Sequence, residues 1–142
     1  MVNIDDSERV RTIFNAMGAQ TLHLVDTFYA PGVVFIDPFH RVEGRDALRD
    51  YYRRLYANVQ SIHFAFEGET ASVNELVLYW TMTCRHPRIA GGAPVSLPGC
   101  SRLVFDGQGL VELHRDYFDA GALLYEHLPL LGRVVRYIRE RV

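Results

Sequence analysis

The chain of 142 residues contains no lysine, because all 15 of its basic side chains are arginine. This absence excludes a lysine Schiff base, a pyridoxal phosphate anchor and a Walker-type phosphate loop. Cysteine is almost as scarce: Cys84 and Cys100 are the only two, which excludes a disulfide scaffold and a cysteine-rich zinc site. No run approaches the ~18 consecutive apolar residues that a membrane-spanning helix needs.

The overall charge gives no sign of a polyanionic partner. Fifteen basic residues against 17 acidic ones leave a formal net charge of −2, so we expect neither a nucleic acid nor a membrane as partner. The polar and acidic first ten residues lack the charged and then apolar pattern of a signal peptide. With 49% hydrophobic residues, the sequence predicts one cytoplasmic domain over residues 1–142 with reduced thiols.

Histidine and serine do not form a recognisable catalytic or metal motif. The six histidines are scattered, without His-x-x-x-His or His-Glu-x-x-His spacing. No serine stands in a Gly-x-Ser-x-Gly elbow, so a Ser-His-Asp triad is not indicated. We therefore expect no metal and no cofactor.

Hydrophobic periodicity predicts an α+β domain. Apolar residues at helical spacing predict helices over 10–17, 22–28 and 45–59, and a last helix from Ala120 onward that bends at Pro129 and Gly132. Alternating or β-branched runs predict strands at 33–36, 61–67, 75–85, 100–105 and 110–118, of which 75–85 is covered on both faces. Asp106-Gly107-Gln108-Gly109 predicts a hairpin turn between the last two strands, and 86–98 predicts a loop.

Five segments of the chain resemble the nuclear transport factor 2-like superfamily, and most closely its SnoaL-like proteins. They are Phe28-Tyr29-Ala30, Val33-Val34-Phe35-Ile36-Asp37-Pro38, Val42-Glu43-Gly44-Arg45-Asp46-Ala47-Leu48, Phe105-Asp106-Gly107-Gln108-Gly109 and Asp116-Tyr117-Phe118-Asp119. The resemblance implies a cone-shaped fold in which a curved antiparallel sheet wraps around N-terminal helices, with an added C-terminal helix over about 120–142. It also implies a homodimer formed through the outer face of the sheet. Because this superfamily contains enzymes and non-enzymes, the fold alone does not imply an activity.

Asp37 is the first candidate for a catalytic residue, because it ends an apolar strand and precedes Pro38. By resemblance it stands where ketosteroid isomerases have their aspartate base, and a carboxylate in a cavity wall can shuttle a proton. Alternatively, Asp37 caps the turn before the third helix, as Asp-Pro commonly does. The resemblance places Ser101 and either Ile13 or Phe14 where those isomerases polarise the substrate carbonyl, which argues against 3-oxosteroid isomerase activity.

His114 and Asp116 are two residues apart on the last strand and therefore share one face. If this face looks into the cone, the two side chains form an acid–base set with Asp37. If the apolar face of Leu113 and Tyr117 turns inward instead, His114 is an ordinary surface histidine.

Eight further side chains are candidates for the wall of an apolar pocket. They are Phe14, Met17, Tyr52, Tyr56, Trp80, Met82, Ser101 and Phe118. Ser101 would be a weak oxyanion donor. Aromatic and methionine side chains at such spacing are also found as ordinary core residues, so these assignments compete with simple burial.

Two hypotheses about function follow. The first is a cofactor-free isomerase or lyase, of the ketosteroid isomerase, cyclase or dehydratase kind, in which Asp37 moves a proton on a small apolar carbonyl compound. Such a substrate would be polyketide-, terpenoid- or steroid-like, and His114 or Asp116 would assist. The second is a non-catalytic small-molecule-binding or assembly module of the same fold. Epoxide hydrolysis is disfavoured because Arg115 and Asp116 face opposite ways, and scytalone-type dehydration needs a second histidine, for which only the remote His86 is a candidate.

Overall fold

A computed structural model of the chain describes residues 2–124, 127–128 and 130–142. Within these residues, five α-helices and six β-strands follow one another along the chain. They are α1 (Ile4–Ala16), α2 (Leu24–Phe28), β1 (Tyr29–Ile36), β2 (Arg41–Glu43), α3 (Arg45–Asn58), β3 (Ser61–Ala71), β4 (Glu75–Arg85), β5 (Val95–Phe105), β6 (Val111–Phe118), α4 (Ala120–Leu123) and α5 (Leu131–Arg139).

All six strands belong to one sheet in the order β2-β1-β6-β5-β4-β3. Every pair is antiparallel except β1 and β6, which run parallel. The pairing register shifts in three places, and such bulges bend a sheet. The curved sheet with N-terminal helices confirms the predicted α+β class.

The first three helices bury their apolar sides in one core with the inner face of the sheet. Val10 of α1, Phe28 of α2 and Leu48 of α3 are fully buried, as are Leu76 and Leu78 of β4. Helix α1 begins with a capping box in which the side chain of Asn3 and that of Asp6 each accept the other's backbone N–H. The helices therefore fix the depth and width of any space that the sheet encloses.

Strand β4 is buried on one face only, which corrects the prediction that both faces are covered. Its side chains alternate between buried residues such as Trp80 and partly or fully exposed residues such as Tyr79. The reason is that the helices of the core pack on the inner face, and no other described element covers the outer one.

Three strands are longer than predicted, and a further strand, β2, was not predicted at all. Strand β3 continues past the predicted residue 67 to Ala71. Strand β1 already begins at Tyr29, although Pro31 and Gly32 interrupt its pairing with β6. Strand β5 begins at Val95 inside the predicted loop, and Pro98 is tolerated because this part of β5 pairs with β4 alone. The three-residue β2 carries no periodic signal.

The C-terminal extension contains two helices, α4 and α5, instead of one bent helix. Asp119 caps α4 by accepting the backbone N–H of Ala122 at 3.1 Å. Of the two predicted bend positions, Gly132 lies inside α5, and Pro129 lies outside the described residues. No helix in the described part of the chain is long and apolar enough to cross a membrane.

Candidate active site

The sheet and the helices enclose a largely apolar cavity of about 290 Å³. From the strand directions, the ends of β1, β4 and β6 lie at one end of the sheet, beside the starts of β3 and β5. Residues that follow these ends, including His40 and His86, line the cavity, and the His40 side chain is 52% exposed. This end is therefore the mouth. Tyr29, at the start of β1, lies at the inner end.

Most of the residues that sequence reasoning proposed for the site lie in the cavity wall. They are Asp37, His114 and Asp116, together with Phe14, Met17, Tyr52, Tyr56, Met82 and Phe118. Sequence reasoning missed Tyr29, because this residue falls between the helix predicted over 22–28 and the strand predicted from residue 33. It also missed Tyr51 and His40, although Tyr51 shares the broad apolar face of α3 with Tyr52.

A bulge in β6 decides which face of this strand looks into the cavity. Val111 pairs with Phe105 and Leu113 pairs with Val104, so Glu112 is an extra residue without a partner on β5. Val111 is buried on one side of this bulge, and His114 is buried on the other. The extra residue thus lets β6 bury Val111 and still direct both His114 and Asp116 inward.

His114 is held between aromatic rings and hydrogen-bonded at both nitrogens. Its ring stacks on Phe14 and Tyr29, with centroid distances of 5.5 and 5.8 Å. Nε2 lies 2.7 Å from Oδ1 of Asp116, and Nδ1 lies 2.7 Å from the hydroxyl of Tyr29. A carboxylate only accepts hydrogen bonds, so Nε2 carries a proton and, in the neutral ring, Nδ1 accepts from Tyr29.

Trp80 and Ser101 were expected in the pocket wall, but they lie behind it. Trp80 Nε1 donates to Ser101 Oγ at 3.0 Å, and Ser101 Oγ donates to Oδ1 of Asp116 at 2.5 Å. Both residues are buried, at 1% and 0% exposure, and neither lines the cavity. Ser101 cannot act as an oxyanion donor from this position, because its hydroxyl proton is committed to Asp116.

The two oxygens of Asp116 therefore have different surroundings. Oδ1 accepts from Ser101 and His114, which fixes the carboxylate in place. Oδ2 has no hydrogen-bond partner among the described residues, and the side chain keeps 19% exposure in the cavity wall. Asp116 is thus an anchored carboxylate with one oxygen available to a ligand.

Asp37 is also in the cavity wall, but both of its oxygens are engaged. Oδ1 accepts the backbone N–H groups of Phe39 and His40 at 2.8 and 2.7 Å, and Oδ2 accepts the hydroxyl of Tyr51 at 2.8 Å. The side chain is only 7% exposed, and Nδ1 of His40 lies 3.3 Å from Oδ1. Asp37 therefore caps its turn, as the alternative interpretation of Asp-Pro predicted, and it contacts the cavity as well.

Four tyrosines surround these carboxylates, and all of them remain protonated donors. Burial is the main cause that raises the pKa of each hydroxyl, and the charge of Asp116 raises it further. They are Tyr29, Tyr51, Tyr52 and Tyr56. Tyr29 and Tyr52 pair their hydroxyls at 2.9 Å. The Tyr56 hydroxyl has no partner in the described part of the chain, so it is a free donor in the cavity.

The described residues contain no group of three or more His, Cys, Asp or Glu side chains that could hold a metal ion. The two thiols lie apart: Cys84 lines the cavity, whereas Cys100 pairs with Tyr79 and Tyr117 on the outer face of the sheet. Burial raises the pKa of both thiols. Neither thiol is therefore activated as a nucleophile.

Comparison with known proteins gives a family match and several related folds. The family model described as the SnoaL-like domain matches residues 10–114. A nuclear transport factor 2-like protein of unknown function from Burkholderia pseudomallei is 16% identical, with a TM-score of 0.71 over 96% of this chain and 97% of that one. A protein provisionally assigned as a SnoaL-like polyketide cyclase from Jannaschia sp. CCS1 is 20% identical, with a TM-score of 0.68 over 80% and 85%. TerC, co-crystallised with polyporic acid, is 13% identical, with a TM-score of 0.70 over 84% and 92%. No curated protein matches the chain.

Proposed function

We propose, for a chain that belongs to the SnoaL-like domain family, a cofactor-free isomerase, lyase or cyclase activity that moves a proton on a small apolar carbonyl compound. The observation that carries this proposal is the anchored carboxylate of Asp116, whose Oδ2 lacks a partner among the described residues in a largely apolar cavity. A carboxylate in such a place is a suitable general base for a carbon-bound proton.

The arrangement assigns separate roles to three side chains. Oδ2 of Asp116 takes the proton next to the substrate carbonyl, while His114 and Ser101 hold Oδ1. The free hydroxyl of Tyr56 donates to the carbonyl oxygen, on which negative charge develops as the proton leaves. In isomerisation, the enolate takes this proton back from Asp116 at another carbon. In elimination, the enolate expels a leaving group that takes the proton from Asp116, and in ring closure the alkoxide formed by attack on a second carbonyl takes it.

Asp37 has a different part in this proposal from the one that sequence reasoning gave it. To accept a proton, it would first have to release the hydroxyl of Tyr51 or a backbone N–H of its own turn. Asp116 needs no such change. We therefore propose Asp116 as the base and Asp37 as the residue that orients Tyr51 and the turn at the mouth.

The cavity also restricts the size of the substrate. A cavity of ~150 Å³ holds benzene, so about 290 Å³ accommodates a compound of roughly two rings. A polyketide- or terpenoid-like ketone or quinone fits this volume better than a four-ring steroid. The provisional polyketide cyclase assignment of the Jannaschia protein supports the same class.

Exchange of carbon-bound hydrogen for deuterium tests the proposal without knowledge of the natural substrate. A panel of one- and two-ring ketones is incubated in D₂O with the protein, and nuclear magnetic resonance follows loss of the protons next to the carbonyl. We expect Asp116→Asn to slow exchange by about 10²-fold or more, and Tyr56→Phe to slow it by about tenfold or more. Asp37→Asn serves as the matched carboxylate variant and retains exchange within about tenfold.

The outcomes separate the two hypotheses. Near-ultraviolet circular dichroism first establishes that each variant is folded. If Asp37→Asn abolishes exchange and Asp116→Asn does not, the base is Asp37 and our assignment is wrong. If the wild-type protein binds members of the panel but exchanges none of their protons, the non-catalytic binding module is the better description.

A further inference from the structure

Helix α5 presents an apolar face that the described part of the chain leaves exposed. Leu131, Val134, Tyr137 and Ile138 are 43%, 46%, 57% and 56% exposed. Their spacing of three and four residues places them on one side of the helix. The helix contacts the domain through another side, where Gly132 is buried.

The last ten residues, which include most of α5, carry an excess of positive charge, whereas the rest of the chain is negative. Residues 133–142 carry four arginines and one glutamate, a net charge of +3. The remaining 132 residues hold 11 of the 15 basic and 16 of the 17 acidic side chains, a net charge of −5. At about 100° per residue, Arg133 lies beside Tyr137 at one edge of the apolar face. The guanidinium of Arg141, which follows the helix, lies over the ring of Tyr137 at 3.9 Å from its centroid. The expectation of no membrane partner rested on the sum of these charges and did not consider their separation.

We propose that α5 docks the protein on the surface of an anionic lipid bilayer. An exposed apolar face with cations along one edge matches a surface that is apolar below its negatively charged headgroups. A second copy of the chain matches it less well, because two α5 helices paired by a two-fold axis would bring two clusters of +3 together. The helix lies along the bilayer surface and does not cross it.

The position of α5 in the fold agrees with this inference. A Cβ atom added at Gly121 of α4 would lie 3.8 Å from Cγ1 of Val135, so α5 packs on α4. Leu123 and Leu124, at the end of α4, line the cavity. Docking through α5 therefore brings that part of the cavity wall close to the membrane.

Vesicle co-sedimentation of the full chain tests the proposal. Vesicles of phosphatidylcholine with 30% phosphatidylglycerol are compared with vesicles of phosphatidylcholine alone, at low and at high salt. We expect binding to the anionic vesicles that weakens in high salt, and binding to neutral vesicles that is at least about tenfold weaker. The double variant Arg133→Gln/Arg141→Gln should bind at least about fivefold more weakly.

The double variant Val134→Asp/Ile138→Asp tests the apolar face, and Val73→Asp is its matched control. Val73 is 70% exposed but lies in the turn between β3 and β4. We expect the double variant to lose binding by at least about tenfold and the control to bind like the wild type. The proposal is wrong if the wild-type protein does not bind anionic vesicles. It is also wrong if Val134→Asp/Ile138→Asp binds them as tightly as the control Val73→Asp does.

Light scattering after gel filtration tests whether a second copy of the chain, and not lipid, covers the apolar face of α5. If Val134→Asp/Ile138→Asp converts a dimer to a monomer and the wild-type protein ignores vesicles, α5 is an interface between copies and the lipid proposal is overturned. An unchanged oligomeric state together with loss of vesicle binding supports docking on lipid. The deuterium-exchange assay is independent, because these variants leave the cavity intact.

Discussion

Replacement of Gly99 by alanine should disturb the residues that hold Asp116 from behind. A Cβ atom at this position would lie 2.5 Å from Cη2 and 2.6 Å from Cζ3 of Trp80, and 2.6 Å from the carbonyl oxygen of Tyr117. Carbon atoms in contact are normally about 3.5–4.0 Å apart, so the indole has to move by roughly 1 Å. Trp80 is 1% exposed and has little space for this movement.

The expected cost has two parts. Overpacking of a well-packed core costs about 1–3 kcal/mol. If the displaced indole also loses its hydrogen bond to Ser101, a further ~0.5–1.5 kcal/mol is lost. We therefore expect Gly99→Ala to lower the free energy of unfolding by about 1.5–4.5 kcal/mol.

Urea denaturation followed by tryptophan fluorescence measures this change directly, because Trp80 is the only tryptophan. The matched control is Gly107→Ala, where an added Cβ would meet nothing within 4 Å; its effect should stay within about 0.5 kcal/mol. Both variants are compared with the wild type at the same protein concentration. A destabilisation by Gly99→Ala of less than about 0.5 kcal/mol, with unchanged fluorescence, would refute the packing argument.

Two further predictions concern the cavity wall. Because burial raises the pKa of the hydroxyls of Tyr29, Tyr51, Tyr52 and Tyr56, the folded state should keep them protonated above the ordinary tyrosine pKa of about 10. Their contribution to stability is present below that pH and declines as the pH rises further, because the unfolded chain ionises first. The tyrosinate absorbance of these four residues should therefore increase only in step with alkaline unfolding. Ionisation of all eight tyrosines in the folded state would contradict this. In a Cys100→Ser variant, a bound two-ring ketone should slow the reaction of Cys84 with a thiol reagent, since Cys84 lines the cavity; an unchanged rate with saturating ligand would show that the ligand binds elsewhere.

The sequence predicted those parts of the fold that follow from local patterns. The helical spacing of Leu48 and Tyr52, and the Asp106–Gly109 turn, each predicted an element that the structure contains. The start of β1 was missed because Pro31 and Gly32 are usual in turns. The start of β5 was missed because Pro98 is unusual in a strand, and only the pairing with β4 explains it.

The composition of the candidate site was more predictable than the roles within it. The alternation of β6 brought His114 and Asp116 together as candidates, but it left open which face turns inward. No local pattern reveals that both oxygens of Asp37 are engaged, or that Ser101 lies behind Asp116. These facts depend on contacts between residues that are far apart in the sequence, such as Tyr51 with Asp37, and therefore on the packing of the whole domain.

The unpaired Glu112 shows that the chemistry of this cavity depends on how β6 pairs with β5 as well as on residue types. Val111 points inward before this residue, and the even-numbered side chains of β6 do so after it. If Glu112 paired with β5 in a regular ladder, the faces after it would be exchanged, so that Arg115 and Tyr117 would enter the cavity and the carboxylate would leave it. Deletion of Glu112 would instead remove the bulge and keep His114 and Asp116 inward. A relative of the same length whose last strand pairs without the bulge could keep the same fold and have a different chemistry.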